Sequence, residues 1–116
     1  MSFRDKGEEI ASGYLRGKGY KILASNYSGR SFEIDLIAMK KNMVVFVEVK
    51  RRKSSYFMNP LDSINKKRKE HMIKGARYFL LTKDLYDRCD VRFDVITVMG
   101  GRGNVEHYED AFRIEK

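Results

Sequence analysis

The chain is read most easily from its apolar positions. From Glu33 to Lys50, EIDLIAMKKNMVVFVEVK, apolar residues alternate through two runs separated by the polar Lys40-Lys41-Asn42, the pattern of a β-hairpin. Successive side chains of a strand point to opposite faces, so Ile37, Met39, Val44 and Phe46 should share a face with Glu33, Asp35, Glu48 and Lys50. Ile34, Leu36, Val45, Val47 and Val49 fill the other face. Strands apolar on both faces are central and covered. Upstream, Ile10, Ala11, Tyr14 and Leu15 recur at helical spacing and predict a helix from about Arg4 to Lys18, stopped by Gly17 and Gly19. Tyr20 to Tyr27 predicts a first strand, turning into the hairpin through residues 29–31. Downstream, Asn59 with Pro60 predicts a cap and start for a second helix to about Leu81. Its buried stripe would be Leu61, Ile64, Met72, Ala76, Phe79 and Leu80. Val91 to Met99 predicts a strand parallel to a neighbour, and Val105 to Tyr108 a short one before Ala111 and Phe112. The order α-β-β-β-α-β with a small tail specifies an α/β fold: a mixed sheet of four to five strands flanked by helices, in one domain over residues 1–116.

The polar residues inside this pattern are the informative ones. A two-residue loop at Lys41-Asn42 sets Asp35 across from Glu48 and Glu33 across from Lys50, with Cβ atoms about 5 Å apart. Opposed carboxylates in a covered sheet need a cation or a proton between them, so this strand end is a candidate cation site. A solvated strand end closed by a Glu33 to Lys50 pair is the competing reading. On the first helix Glu8 falls about 90° from the centre of the apolar stripe and Glu9 about 170°, so Glu8 can reach the packed face and Glu9 points to water. Glu8 would equally serve as an acid complementing the helix dipole. Arg68 lies within the apolar stripe of the second helix, flanked by Lys66, Lys67 and Lys69, and can snorkel from there.

Charge and composition then narrow the classes. Hydrophobic residues make up 42% of the 116, enough for a core. The longest apolar run is Met43 to Val47, and MSFRDKGEEI has no apolar segment of signal-peptide type, so a cytoplasmic protein without membrane association is expected. Cys89 has no cysteine to pair with, and with His71 and His107 it cannot complete a zinc set, so any metal should be oxygen-ligated and these three residues structural. Between Lys50 and Arg77 stand ten Lys or Arg and two acids, which is the entire net charge of +8. The excess begins where the carboxylates end, the layout of a polyanion drawn across a metal site, with nucleic acid, an acidic protein or an anionic membrane surface as candidates.

The pattern D-x12-E-x-K at Asp35, Glu48 and Lys50, after a helix bearing Glu8, resembles the PD-(D/E)xK nucleases and their restriction-endonuclease-like core. Longer matches are more specific: GE-x-x-A at Gly7 to Ala11, Asn26, EIDLIA at Glu33 to Ala38, FVEVK-x-R at Phe46 to Arg52, A-x-x-x-L at Ala76 to Leu80, RFDV at Arg92 to Val95 and H-x-x-x-AF at His107 to Phe112. Together they resemble the bacterial YraN family, related to archaeal Holliday-junction resolvases. Phe32 stands where that family commonly has Gly, and Arg68 where it commonly has Lys. The resemblance implies a metal-dependent endonuclease acting on nucleic acid, DNA and branched DNA foremost, with a homodimer as the arrangement that symmetrical cutting needs. Mg²⁺ or Mn²⁺ would be held by Asp35, Glu48 and the Val49 carbonyl, with Lys50 and Glu8 as catalytic residues. Arg51, Arg52, Lys53, Lys66, Lys67, Arg68 and Lys69 would meet the sugar-phosphate backbone. A binding protein that keeps the nuclease fold without turnover, and a basic adaptor for an acidic partner, are the alternatives.

Overall fold

In a computed structural model, residues 3, 5–52, 64–100 and 104–114 are described. They form α1 (Lys6–Gly17), β1 (Lys21–Gly29), β2 (Phe32–Lys40), β3 (Met43–Arg52), α2 (Lys66–Thr82), β4 (Asp90–Met99) and β5 (Asn104–Phe112). The strands make one mixed sheet in the order β1-β2-β3-β4-β5, with β3 and β4 parallel and the other neighbours antiparallel. This α/β arrangement of helices flanking a five-stranded mixed sheet is consistent with a restriction-endonuclease-like core. The fifth strand is longer than the sequence pattern suggests. It spans nine residues, pairing with β4 from Met99↔Asn104 to Val95↔Tyr108 and, past a bulge, at Phe93↔Phe112, where Phe112 packs partly buried with the aromatic core. None of the helices among the described residues is long and apolar enough to cross a membrane.

The helices start where short polar side chains cap them. Asp5 accepts from the Glu8 amide at 2.9 Å and opens α1. Asn65 accepts from the Arg68 amide at 2.8 Å and opens α2. The second helix therefore begins at Lys66, and Ile64, placed in the helical stripe by the sequence pattern, is a buried residue just before it. The expected cap at Asn59 and Pro60, and Leu61, lie outside the described residues.

Two apolar layers sandwich the sheet. On one side Ala11 and Leu15 of α1 cover Leu36, Ala38, Val45, Val47, Ile96 and Val98. On the other, Met72, Ala76, Phe79 and Leu80 of α2 cover Ile34, Ile37, Val44, Phe46 and Phe93. At Gly75 the helix comes so close to β2 that a Cβ would sit 3.0 Å from Ile34 and Phe32 side-chain carbons. Ile34 was expected on the α1 side with Leu36 and is instead under α2 with Ile37. The alternation breaks at the acidic end of β2, beside Asp35, whose carboxyl accepts a backbone amide.

Candidate active site

The β2–β3 ladder runs in the register expected from the loop, from Lys40↔Met43 through Leu36↔Val47. It then stops one step short of Asp35 and Glu48. In place of a backbone carbonyl, the Asp35 carboxyl accepts the Val49 amide at 2.8 Å. An amide in a sheet must find an acceptor, and here a side chain supplies it, so the two strands part at this end without an unsatisfied group. The parting brings the side chains of Asp35 and Glu48, 6% and 3% exposed, into a shared space.

Two carboxyls so close and so dry cannot both ionise at little cost. Burial, then the hydrogen bond to Glu48 and the repulsion from its charge, push the Asp35 carboxyl up to about 8, so it holds its proton at neutral pH. Glu48 goes the other way. Burial alone would raise it, but the hydrogen bonds from Arg68 and Asp35, and the nearby charges of Arg68 and Lys50, hold it below the usual carboxylate range.

The sequence pattern puts Arg68 within the apolar stripe of α2, able to snorkel out toward the backbone-binding face. The side chain instead turns inward. Its Nε and Nη2 donate to the two oxygens of Glu48 at 2.8 and 2.7 Å, Nη1 donates to the Glu33 carbonyl at 2.9 Å, and Nη2 lies 3.8 Å from Asp35. Such a fork-to-carboxylate pair is among the stronger ionic contacts. The one hint in the sequence was the position of an Arg within an apolar stripe. Lys50 shares the face of Glu48, its Nζ 3.6 Å from Glu48 Oε2 with the side chain 34% exposed, so the ammonium borders both the pair and solvent.

The other predicted residues fall into three groups. Glu8 is 2% exposed in the first turn of α1 while Glu9 is outward, as the helical geometry indicates. The aliphatic chain of Arg51 packs against Gly7, which places this turn at the same end of β3 but on the α1 side of the sheet. Among the described residues no three His, Cys, Asp or Glu side chains gather into a set able to hold a metal, so Glu8 is not assembled with Asp35 and Glu48 as a three-carboxylate cluster. Of the basic run, Arg51 is exposed on the α1 side and Arg52 is half-buried, one step along β3. Lys53 lies outside the described residues. Lys66 and Lys67 are exposed and Lys69 is half-buried on the first turn of α2, surrounding the inward Arg68.

A second polar cluster, on the α1 side, went unassigned in the sequence because His107 has no metal-binding company and reads as structural. Asp94, fully buried, accepts from Arg92 Nε at 2.8 Å and Nη2 at 2.9 Å, from His107 Nε2 at 2.6 Å and from the Asp110 amide at 3.0 Å. Tyr14 and Tyr20 hydroxyls extend it at 3.1 Å from His107 Nδ1 and 2.7 Å from Arg92 Nη2. This cluster unites the RFDV and H-x-x-x-AF segments with the first helix.

The chain can be set beside known proteins. Residues 7–98 match the family described as Uncharacterised protein family UPF0102. A UPF0102 protein of Chlorobium phaeobacteroides is 37% identical over 118 residues, spanning 95% of this chain and 92% of that one. A UPF0102 protein of Flavobacterium psychrophilum is 38% identical, spanning 91% and 89%, and one of Clostridium perfringens is 38% identical, spanning 93% and 91%. With most of the chain covered by the family and near-complete relatives in separate genera, the protein belongs to the uncharacterised protein family UPF0102.

Proposed function

We propose that the protein is a metal-dependent endonuclease of the PD-(D/E)xK type, close to the YraN proteins, that hydrolyses phosphodiester bonds of nucleic acid, DNA above all. The observation that carries this is the Asp35 and Glu48 pair. Two buried carboxyls at the parted end of a hairpin are kept together by one proton and one guanidinium, both exchangeable for a harder cation. The donors suit Mg²⁺ or Mn²⁺, which take oxygen ligands and commonly use only one or two carboxylates, the rest being water and phosphate. Asp35, Glu48 and the carbonyl of Val49 would hold the ion, which when bound acidifies water and offsets charge on the phosphate oxygens.

The chain's own groups do the rest. The Lys50 ammonium, anchored by Glu48 yet open to solvent, orients the attacking water and stabilises negative charge growing on the scissile phosphate. Glu8, a buried acid at the same end of β3, supports the site from the α1 side. Lys66, Lys67 and Lys69, with Arg51, Arg52 and Lys53, receive neighbouring phosphates, giving affinity without base specificity. A cytoplasmic protein, paired as a homodimer when the substrate is a symmetrical branch, completes the reading.

The test is cleavage of linear, single-stranded, flapped and four-way DNA with Mg²⁺ or Mn²⁺ by wild type, Asp35→Asn and Lys50→Ala. Loss of cutting in both variants is expected. Undiminished cutting in both would place the activity elsewhere. A second reading has its own observation: with Arg68 held at 2.7 and 2.8 Å on Glu48, the carboxylate is already neutralised, as in a nuclease fold kept for binding alone. Salt-sensitive binding without cleavage of any substrate would favour it.

A further inference from the structure

α2 lies over β1 and β2, and toward β5 it leaves a groove of about 730 Å³. One wall is a single flank of the helix, Lys66, Lys69, Ile73 and Arg77; the other is Phe112, Arg113 and Ile114 at the end of β5. Two hollows of about 420 and 360 Å³ share Ile114 with it and extend the trough toward Val91. Lys66 and Lys69, at one end of the groove, belong to the same first turn of α2 as Arg68, whose guanidinium reaches Glu48, and from Lys66 the groove runs about 17 Å along the helix to Arg77.

Its two surfaces differ in kind. The rim is basic: Lys66, Lys69, Arg77 and Arg113 face one acid of the lining, Glu70, and Arg113 has Asp110 as its ion-pair partner. The floor is aromatic and held from below. Phe112 stacks on Phe93, centroids 4.8 Å apart at 23°, and Phe93 stacks on Phe46 at 5.6 Å and 30°. The Lys69 ammonium rests 5.7 Å from the Phe112 centroid. A basic rim alone suits any phosphate backbone, but a half-exposed ring that also packs into the core offers, beside Lys69, a rigid flat apolar surface to a partner with such a face of its own. Paired bases in a duplex are stacked on one another and cannot offer that face, whereas unpaired bases can.

We infer that this groove binds a single-stranded segment of nucleic acid, phosphates on Lys66, Lys69, Arg77 and Arg113 and a base on Phe112, and so selects substrates with an unpaired arm, such as flaps, gaps or splayed junctions. The inference rests on the endonuclease reading and names its substrate class. Strand leaving the groove at Lys66 and Lys69 arrives beside Glu48 and Lys50, where cleavage would occur at the boundary of paired and unpaired DNA.

The experiment is fluorescence anisotropy of a labelled oligo-dT and of a hairpin duplex of equal length, in EDTA so that nothing is cut, at several salt concentrations. Proteins are wild type, Phe112→Ala, Phe112→Leu and the exposed-site double variant Arg77→Ala/Arg113→Ala, each checked for folding by its thermal melt. Wild type should bind oligo-dT at least tenfold more tightly than duplex. Phe112→Ala should lose about tenfold for oligo-dT and little for duplex, as expected for one stacked base. Should it fail to fold, Phe112→Leu, which keeps an apolar floor without a π face, must show the same selective loss. The double variant should lower the salt slope for oligo-dT by about 1.4. Duplex bound as tightly as oligo-dT, or Phe112→Leu binding like wild type, overturns the inference while leaving the endonuclease reading to its own cleavage test. Binding of neither nucleic acid sinks both, and displacement of oligo-dT by poly-glutamate at equal charge concentration would assign the groove to an acidic protein instead.

Discussion

The sheet carries a buried acid cluster on each face, and the two are built to opposite ends. Asp94 on the α1 side is fully buried and receives four hydrogen bonds, two of them from Arg92. Burial would raise it, but the bonds from His107, Arg92 and the Asp110 amide outweigh that and hold it below the ordinary range. Its lone pairs are used and its charge is matched. On the α2 side two neighbouring acids share one guanidinium, with a bordering ammonium beside Glu48 and the Val49 amide on Asp35, and burial together with the nearness of Glu48 leaves Asp35 its proton. A closed cluster fixes the fold; a pair of acids that holds a proton is where the proposed cation would enter. Burial alone does not separate the two roles, since both sets of carboxyls are nearly inaccessible.

The comparison breaks most visibly by removing each acid. Asp94→Ala leaves the Arg92 guanidinium and His107 without their common acceptor, and removing one partner of a buried ion pair costs about 3–5 kcal/mol. Asp35→Asn exchanges a protonated acid for a neutral amide whose oxygen can still accept the Val49 amide, and should change stability at neutral pH by less than about 1 kcal/mol, while ending cleavage. Urea melts of the two variants with a nuclease assay settle it: a large loss for Asp35→Asn and a small one for Asp94→Ala would reverse the assignment of roles.

Divalent ions sharpen the same contrast. Mn²⁺ at a hundred times its dissociation constant should stabilise the wild-type fold by about 2.7 kcal/mol, seen as a rise in Tm. Glu48→Gln should abolish the rise. Arg68→Ala, which takes the guanidinium off both Glu48 oxygens, should lower the melting point without metal and reach half-saturation at less Mn²⁺. An equal rise in wild type and Glu48→Gln would mean that the ion binds somewhere else.

pH probes the proton directly. Asp35 has an unfolded-state value near 3.8 and a folded value of about 8, so between those limits the native chain holds a proton that the unfolded chain has released. Stability must then fall as pH rises across that window, by as much as about 1.4 kcal/mol per unit. Glu48 and Asp94, held low, act in the reverse sense: their contributions are present above about pH 4.5 and are lost as acid protonates them. Metal-free wild type should therefore weaken from pH 5 to 8, and Asp35→Asn should flatten that decline. A decline that survives in Asp35→Asn would assign it to another group.

Much of this was legible in the chain, and the failures are physical. Period-two alternation around a two-residue loop gave the hairpin, its register and the meeting of Asp35 with Glu48, because the loop length fixes which residues lie opposite each other. Helical angles separated Glu8 from Glu9. Alternation could not foresee that the Asp35 side chain would take the Val49 amide or that Ile34 would lie on the α2 side, since a side chain replacing a backbone acceptor leaves no trace in a pattern of polar and apolar letters. The direction of Arg68 was equally hidden. A long cation in an apolar stripe is free to snorkel outward, and only the presence of Glu48 and the Glu33 carbonyl beneath it decides that it turns in. The Asp94 cluster escaped because its members come from three separate segments, Tyr14 with Tyr20, Arg92 with Asp94, and His107 with Asp110, joined by sheet pairing and the packing of α1.

The smallest expected effect tests how complete that cluster is. Tyr14 sets its hydroxyl 3.1 Å from His107 Nδ1 and its ring edge-on to the imidazole, centroids 5.4 Å apart at 86°. Burial, with Glu109, Tyr20 and Asp94 nearby, raises the phenol, so it stays a neutral hydroxyl at every working pH. Tyr14→Phe keeps the ring contact and deletes one neutral hydrogen bond, a change of about 1 kcal/mol. Asp94 keeps all four of its donors, so the ionic part of the cluster is untouched. Cleavage and Mn²⁺ stabilisation should match wild type, because nothing on the α2 face is altered. If Tyr14→Phe instead slowed cleavage with its melting point nearly unchanged, the α1-side cluster would be part of the reaction, and the division between a closed face and an open one would fall.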